Sequence, residues 1–408
     1  MRTLFISHIF PQPPHSGNGQ RVLHLLGALA EVSEVTFVHQ VPAEGPAPNP
    51  DCLEHLVKRV YSFPRKSINL YKDFHLPRAR RWVKHKLRYC HPVEPVLLQW
   101  EHSDEGQALV SHLCTERFDL IWAERLASMR LVPPGLAARV IVDLDDIEHR
   151  KLARHLRVRP MFRMLPLELL EYLRLRRLER SLWRLPFEFV VCSPTDSGIF
   201  RGNGRVHIVP NGVDLPTSPS IPEAPISVPV FLFVGHMGYQ PNVDAVCFFR
   251  TRVLPLIWRS LPEARLLIVG REPDPLVRQL HDGSRVLVTG TVPSVEPYLR
   301  QATALVVPIR IGGGTRIKIL EAMAHRLPVV TTTIGGEGLE LEDDKHVLVA
   351  DSPTAFARAC LRLHSEPGLR DRLAEAGASL VSGTYRWPII ERLVKSIVQA
   401  APQSPSRR

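Results

Sequence analysis

The sequence predicts an α/β protein made of two doubly wound, Rossmann-like domains. The first observation is length, because 408 residues exceed one ordinary hydrophobic core and correspond to two domains of about 200 residues each. The second is the alternation, in both halves, of short β-branched or aromatic runs with helical patterns. The third is that the strand runs are apolar almost throughout, which is typical of parallel sheets covered on both faces.

The strands are predicted from these apolar runs. In the first half they occupy residues 3–8, 34–39, 118–124, 139–144, 187–192 and 206–210. In the second half they occupy residues 230–235, 264–270, 285–290, 304–309, 328–332 and 346–350. Helical patterns fill the gaps, and the longest lies within residues 148–185.

A proline-rich segment at residues 216–229, with five prolines and little to bury, predicts an inter-domain linker. We therefore expect an N-terminal domain at 1–215 and a C-terminal domain at 230–385. A last helix at 386–400 is expected to pack back on the N-terminal domain, and the tail 401–408 is expected to be disordered. Two such domains would face each other across a cleft, with ligands beyond the carboxyl ends of the strands.

Composition excludes several classes of protein. The chain is 44% apolar and 23% charged, as in a soluble globular protein, and no apolar run approaches the roughly 18 residues of a membrane span. The first apolar segment is short and soon broken by prolines, which disfavours a signal peptide. The six cysteines form no C-x-x-C pair, so neither a disulfide framework nor a zinc ribbon is indicated. We expect a cytoplasmic protein.

The net charge of +11 is concentrated in places. Residues 150–184 contain 11 Lys/Arg and three acids, so this segment alone contributes +8, and residues 78–88 form a second basic cluster. These basic residues either form solvated helix faces, or they attract the phosphates of a substrate or of an anionic membrane. No nucleic-acid-binding motif accompanies them, so a nucleic-acid partner is not expected.

The stretch "RIGGGTRIKILEAMAHRLPVV", residues 310–330, has an unusual helix. At 100° per residue, Lys318, Glu321 and His325 fall within about 60° of one another, and the rest of the helix is apolar. A buried lysine and carboxylate need partners. They either pair with each other at i, i+3, or bind a nucleotide diphosphate whose phosphates approach the preceding glycines and the helix N-terminus. The Walker pattern of P-loop kinases is absent.

The segment "LEAMAHRLPVV" resembles the donor-binding motif of family-4 (group 1) glycosyltransferases, which have the GT-B fold. That motif carries two glutamates. The second falls on Glu321, which the resemblance implies contacts the nucleotide ribose, and the first falls on Gly313. "FVGHMGYQPNVDAV" resembles the start of the family's C-terminal domain, but His236 and Asn242 stand in the loop where many members carry an arginine and a lysine as phosphate ligands. Arg316 and Lys318 are therefore the candidate phosphate ligands.

The resemblance implies that the N-terminal domain, 1–215, is the acceptor side and that the C-terminal domain, 230–385, is the donor side. Ten residues are expected to contact the nucleotide sugar, on the basis of the glycine loops, the helix and the resemblance. They are Gly17, Gly19, His236, Gly312, Gly313, Gly314, Thr315, Arg316, Lys318 and Glu321. "GNGQRV" at 17–22 lacks the third glycine of a dinucleotide fingerprint, and no acid ends the second strand, so an NAD enzyme is not expected.

The segment "DLDDIEH", residues 143–149, contains Asp-x-Asp, a metal-binding pattern of the other large glycosyltransferase fold. Two carboxylates after a strand are more often turn and N-cap residues, so neither a metal site nor a cofactor is expected. Because the segment follows a strand's carboxyl end, Asp145, Asp146 and His149 are candidate catalytic or acceptor-contacting residues.

The sequence thus predicts a metal-independent glycosyltransferase of polysaccharide or glycolipid assembly. It would move a sugar from a nucleotide diphosphate sugar to a hydroxyl of a saccharide or lipid-linked acceptor, and the resemblance implies retention of configuration. Peripheral contact with the inner membrane surface is expected through the basic segment at residues 150–184. Two alternatives stay open: a sugar-nucleotide epimerase or hydrolase of the same layout, and a non-catalytic nucleotide-binding protein.

Overall fold

A computed structural model describes residues 1–11, 17–41, 48–64, 95, 103–158, 165–200, 205–216 and 228–401. The basic cluster at 78–88, nearly all of the expected linker at 216–229 and most of the tail at 401–408 lie outside the described residues. The chain divides into two units, one formed by Met1–Pro210 with Ile390–Arg408 and the other by Asn211–Ile389.

The first unit contains a parallel sheet of seven described strands. They are β1 (Arg2–Ser7), β2 (Glu34–Val41), β3 (Arg59–Pro64), β4 (Leu120–Glu124), β5 (Arg139–Leu144), β6 (Glu188–Val191) and β7 (Val206–Ile208). Their order across the sheet is β3-β2-β1-β4-β5-β6-β7. The chain therefore builds outward from β1 in one direction and then resumes from β4 in the other, which makes the β1/β4 boundary the topological switch point.

The described helices of this unit are α1 (Gly17–Ala30), α2 (Asp104–Leu113), α3 (Arg125–Leu131), α4 (Glu148–Val158), α5 (Leu165–Glu179) and the single turn α6 (Pro194–Ser197). Helix α1 is tied to the sheet by Arg21, whose Nε and Nη2 donate to the two Asp143 carboxylate oxygens at 2.9 and 2.8 Å. Both side chains are buried, so this bidentate pair fixes the start of α1 against β5.

The second unit contains a parallel sheet of six described strands. They are β8 (Val230–Val234), β9 (Arg265–Val269), β10 (Val286–Gly290), β11 (Ala304–Val307), β12 (Val329–Thr331) and β13 (Leu348–Val349), in the order β10-β9-β8-β11-β12-β13. The switch point of this sheet is therefore the β8/β11 boundary. Nearly all residues of β8, β9, β11 and β12 are buried, as the apolar runs predict.

The helices of the second unit are mostly short until the chain's end. They are α7 (Gln240–Phe248), α8 (Leu254–Trp258), α9 (Pro275–Arg278), α10 (Glu296–Gln301), α11 (Ile317–Ala324), α12 (Thr333–Gly336), α13 (Pro353–Ser365), α14 (Leu369–Thr384) and α15 (Trp387–Gln399). From Ile390 onward, α15 belongs to the first unit, where Glu391 meets His24 at 2.7 Å and Lys395 meets Glu31 at 2.5 Å.

All twelve predicted strands are present, with ends shifted by a few residues at most. Strand β3 is an addition that the sequence analysis missed. The observed division into units falls after Pro210, because Val213 N–H donates to the Tyr385 carbonyl at 2.8 Å and so holds that segment to the second unit. Within the described part of the chain, no helix is both long and apolar enough to cross a bilayer.

Candidate functional site

The glycine loop and helix α11 lie at the switch point of the second sheet. Residues 308–316 leave the carboxyl end of β11, and Gly235 and His236 leave the carboxyl end of the adjacent β8. In open parallel sheets this boundary is where ligands bind, because the connections on its two sides turn away in opposite directions. The predicted donor residues of the second unit are therefore at the edge of the sheet that the topology favours.

Lys318 lies in the first turn of α11, and its amine is held from two sides. Nζ donates to the side-chain oxygen of Asn242 at 3.0 Å and lies 4.2 Å from the centre of the Phe233 ring, a cation–π distance. Asn242 in turn donates its Nδ2 to the backbone carbonyl of His236 at 2.9 Å. Asn242 thus joins the end of β8 to the amine of Lys318, although the two residues are 76 positions apart.

Gly235 allows this arrangement because it has no side chain. A Cβ there would lie 2.8 Å from Asn242 Nδ2 and 2.9 Å from Lys318 Nζ, closer than side-chain carbons come to other heavy atoms. A side chain at 235 would therefore shift the Lys318 amine or the Asn242 amide from the positions in which they are hydrogen-bonded.

The environment of Lys318 lowers the pKa of its amine to about 7. Burial is the main cause and the nearby Arg316 charge adds to it, while Glu321 opposes the shift. Among the residues that the structure describes, none forms an ion pair with Lys318. The alternative that Lys318 and Glu321 simply pair with each other is therefore not what the structure contains. An enclosed amine without a carboxylate partner gains from an arriving anion.

Glu321 lies one turn further along the same face of α11. Its side chain is partly exposed, and no described residue donates a hydrogen bond to its carboxylate. Burial raises the pKa of Glu321, and the Lys318 charge opposes that rise. The carboxylate oxygens remain accessible to hydroxyl donors. His325, the third residue of the predicted stripe, follows the last residue of α11 at the C-cap.

The remainder of α11 is buried as the sequence predicts, with Ile319, Leu320 and Met323 inside the core. The glycine loop before it turns through left-handed conformations at Gly312 (φ 115°) and Gly314 (φ 67°).

Arg316 immediately precedes the helix, and its guanidinium folds back over the glycine loop. It donates to the carbonyl of Gly313 and, at 2.7 Å, to that of Gly314. Thr315 is held separately, since its hydroxyl accepts a hydrogen bond from Asn211 Nδ2 at 2.6 Å. In this arrangement Arg316 orders the loop carbonyls and adds positive charge beside Lys318.

His236, the other predicted donor residue of this unit, is exposed at the rim. Its Nε2 lies 3.0 Å from the Glu272 carboxylate, and its backbone carbonyl accepts from Asn242. The backbone of His236 thus supports the Lys318 amine through Asn242, and the donor-binding role of the His236 side chain stays a prediction.

In the first unit, the predicted catalytic residues all have partners within the protein. Asp145 is buried and accepts from the Cys192 thiol at 3.5 Å, while Asp146 meets Lys151 at 3.4 Å. His149 Nδ1 hydrogen-bonds Glu179, whose two carboxylate oxygens also accept the N–H groups of Glu148 and His149. His149 and Glu179 therefore act as a cap for the start of α4. The roles of Asp145, Asp146 and His149 in catalysis stay predictions.

Gly17 and Gly19 lie in the first turn of α1, after the carboxyl end of β1. Between them, Asn18 turns its amide toward Asp145, and in the orientation that satisfies both groups its Nδ2 donates to Asp145 Oδ2 at 3.0 Å. The start of α1, with Gly17 and Gly19, and the Asp-x-Asp segment at 143–145 are thus neighbours in the first unit. The donor-binding role of Gly17 and Gly19 stays a prediction.

The sequence analysis missed two charged residues at the switch point of the first sheet. Glu124 ends β4 and is buried, accepting the Ser7 hydroxyl at 3.1 Å and pairing with Arg125 Nε at 2.8 Å. Arg125 adopts a left-handed backbone conformation (φ 69°), which is unfavourable for an arginine and typical of functional sites. Burial raises the pKa of Glu124, against the effect of Arg125. The sequence signal for this pair was an acid, Glu124, at the end of the buried strand "LIWAE", followed directly by Arg125.

No group of three or more His, Cys, Asp or Glu side chains arranged to hold a metal ion occurs within the described ranges. Asp143, the first carboxylate of the Asp-x-Asp pattern, is instead bound by Arg21. The second-unit site offers an amine at Lys318, a carboxylate at Glu321 and a glycine loop whose carbonyls at 313 and 314 are bound by Arg316.

The two units together have the GT-B fold, as comparison with solved structures shows. The chain resembles a sucrose-phosphate synthase from Thermosynechococcus elongatus with a TM-score of 0.70 and 16% identity, over 98% of both chains. It resembles Anabaena HepE, solved in complex with UDP-glucose, with a TM-score of 0.64 and 13% identity, over 98% of this chain and 100% of that one. At these identities the likeness establishes the fold alone.

Sequence comparison points to the same class. The family model described as Glycosyl transferases group 1 matches residues 228–366, the segment that contains the Lys318 site. A D-inositol 3-phosphate glycosyltransferase from Xylanimonas cellulosilytica is 29% identical over 232 residues, which are 50% of this chain and 53% of that protein. The chain thus matches about half the length of this relative.

Proposed function

We propose that the protein is a glycosyltransferase that moves a sugar from a nucleotide diphosphate sugar to a hydroxyl of a saccharide or lipid-linked acceptor. The observation that carries this proposal is the Lys318 amine. It is held by Asn242 and Phe233 at the carboxyl end of β8 and lies on the same helix face as the accessible Glu321 carboxylate. No carboxylate within the described ranges forms an ion pair with it. The Lys318 amine can bind the diphosphate of a nucleotide, and the Glu321 carboxylate can accept hydrogen bonds from the ribose hydroxyls of the same ligand.

The match of residues 228–366 to group 1 glycosyltransferases supports the proposal, as does the likeness of the fold to HepE, which was solved in complex with UDP-glucose. The finer assignment to family 4 rests on the "LEAMA" motif at 320–324. Retention of configuration and a role in polysaccharide or glycolipid assembly rest on the same resemblance. For a lipid-linked acceptor, we propose peripheral contact with the inner membrane surface.

In this mechanism the departing diphosphate gains negative charge as the bond to the sugar breaks. Lys318 would meet that charge, helped by the Arg316 cation and by the N–H groups at the start of α11. Stabilisation that grows along the reaction lowers the barrier more than it tightens donor binding. Glu321 would hold the ribose hydroxyls and so position the phosphates against Lys318.

Product analysis tests the proposal. The protein is incubated with nucleotide sugars labelled in the sugar, with and without saccharide and glycolipid acceptors. Transfer of label to an acceptor supports a glycosyltransferase. Label released as free sugar, or recovered in an isomerised nucleotide sugar, identifies a hydrolase or an epimerase instead. A protein that binds the nucleotide sugar but leaves it unchanged under all conditions is a binding protein, and the proposal is then wrong.

A further inference from the structure

Helix α5 of the first unit exposes apolar side chains in one place. Leu169, Leu170 and Leu173 are 49%, 39% and 50% exposed, and Trp183, just after the helix, is 49% exposed. These four are close to half of the large exposed apolar side chains in the described part of the chain. Single exposed leucines are ordinary, but a cluster on one helix indicates a surface that meets something.

The exposed residues form one continuous stripe, here called the α5 stripe. At 100° per residue, Leu169, Leu170, Leu173, Arg177 and Arg180 fall within about 100° of one another. The first half of the stripe is apolar and the second half is basic. Arg184 extends the basic half beyond the helix and lies 5.4 Å from the centre of the Trp183 ring.

The opposite side of α5 carries the acids. Glu168, Glu171 and Glu179 are 7%, 6% and 1% exposed, so the helix buries its carboxylates beside Leu175, which is 3% exposed, while Leu169, Leu170 and Leu173 face outward. Three exposed leucines opposite three buried acids depart from the usual pattern of an amphipathic surface helix. Glu179 has a reason to face inward, because its carboxylate caps the start of α4 and binds His149. Orienting Glu179 toward α4 turns the leucines outward.

We propose that the α5 stripe docks on an anionic lipid surface. The leucines would enter the boundary between headgroups and acyl chains, and Arg177, Arg180 and Arg184 would contact anionic headgroups. Trp183 suits the same depth, since its ring is amphipathic and tryptophan is enriched at membrane interfaces. With no acid on the stripe itself, both halves favour the same occupant.

Charge complementarity favours the membrane over a second copy of this chain. Two α5 stripes brought together in register would oppose leucines to leucines, but would also bring arginines against arginines. An anionic bilayer satisfies the apolar and the basic halves at once. The choice of a membrane rests in part on the proposed function, because a lipid-linked acceptor would be found there. The exposure of the α5 stripe is observed in the structure whatever reaction the protein catalyses.

Vesicle flotation tests the inference without donor or acceptor present, so its failure is separate from a failure of the proposed function. The probe is unilamellar vesicles of phosphatidylcholine with 30% phosphatidylglycerol, compared with pure phosphatidylcholine. We expect the protein to float with the anionic vesicles and to bind less as salt rises. Leu169→Ser/Leu173→Ser should lower the partition coefficient about tenfold, and Arg177→Glu/Arg180→Glu should abolish binding to the anionic vesicles.

Matched controls are Leu276→Ser, another half-exposed leucine, and Arg259→Glu/Arg358→Glu, two exposed arginines of the second unit. These should bind like the unchanged protein, and the stripe variants should keep its melting temperature because the substituted side chains are exposed. Absence of vesicle binding, or equal binding by stripe and control variants, would overturn the inference. So would a concentration-dependent dimer that the leucine substitutions dissociate, since the stripe would then belong to a second copy.

Discussion

Binding of a nucleotide diphosphate sugar should take up a proton at Lys318. With a pKa of about 7, the free amine is about 90% neutral at pH 8, whereas the bound diphosphate favours the protonated form. We therefore expect close to 0.9 proton taken up per ligand at pH 8, and affinity that falls up to about tenfold per pH unit above 7. A diphosphate esterified at both ends does not itself titrate in this range, so it is the suitable ligand.

Calorimetric titration of UDP-glucose at pH 8, in buffers of different ionisation enthalpy, measures the proton count directly. Asn242→Asp provides the sharpest comparison, because it replaces an amide oxygen 3.0 Å from Nζ with a carboxylate of the same shape. The new carboxylate should raise the pKa of Lys318, so that the amine is already protonated at pH 8 and proton uptake disappears. It should also weaken binding, because its negative charge offsets the ammonium charge that attracts the diphosphate. Uptake that is absent in the unchanged protein, or that persists in Lys318→Ala, would refute the assignment of the proton to this amine.

Three further predictions follow from the same site. Lys318→Met should stabilise the unliganded protein near pH 6–7 by about 1 kcal/mol, or roughly 2–4 °C in melting temperature. The gain should shrink toward pH 10, and a gain of the same size at pH 10 would contradict the depressed pKa of Lys318. The sign follows because the folded-state pKa is depressed, so the penalty is complete below about pH 7 and disappears as pH rises toward 10.5. Glu321→Gln should weaken nucleoside diphosphate and bare nucleoside binding by a similar factor, corresponding to about 1.5–3 kcal/mol, and an effect confined to the diphosphate would show that Glu321 does not hold the ribose. Transferase activity should survive EDTA, since protein cations stabilise the leaving diphosphate, and loss of turnover that Mn²⁺ restores would make the 143–149 segment a metal site instead.

The sequence was sufficient for those parts of the fold that depend on local pattern. Strands buried on both faces, such as "LIWAE" and "VFLFV", stand out because nearly every residue is apolar. Strand β3, "RVYSFP", did not, since it lies at the edge of the sheet and only one of its residues, Phe63, is buried. An edge strand mixes exposed polar residues with a few apolar ones and so resembles a loop.

The site was predictable where its residues share a helix and not where they are distant along the chain. The stripe of Lys318 and Glu321 follows from helical periodicity alone. The role of Asn242 required the fold, because only the adjacency of β8 and β11 brings it to an amine 76 residues away. The contact between His149 and Glu179 also required the fold, because Glu179 lies 31 and 30 residues from the two N–H groups that it caps and no local pattern signals that contact.

Lys318 is proposed to bind the diphosphate of a nucleotide. Comparing the affinities of the protein for UDP and for uridine tests this role most directly. Titrations would use the unchanged protein, Lys318→Ala and the control Lys345→Ala, an exposed lysine of the same unit paired with Glu342. We expect UDP to bind more tightly than uridine. Lys318→Ala should reduce this advantage by tenfold or more, about the contribution of one charged hydrogen bond, whereas Lys345→Ala should not. Equal UDP affinity in Lys318→Ala and the unchanged protein would contradict this role of Lys318.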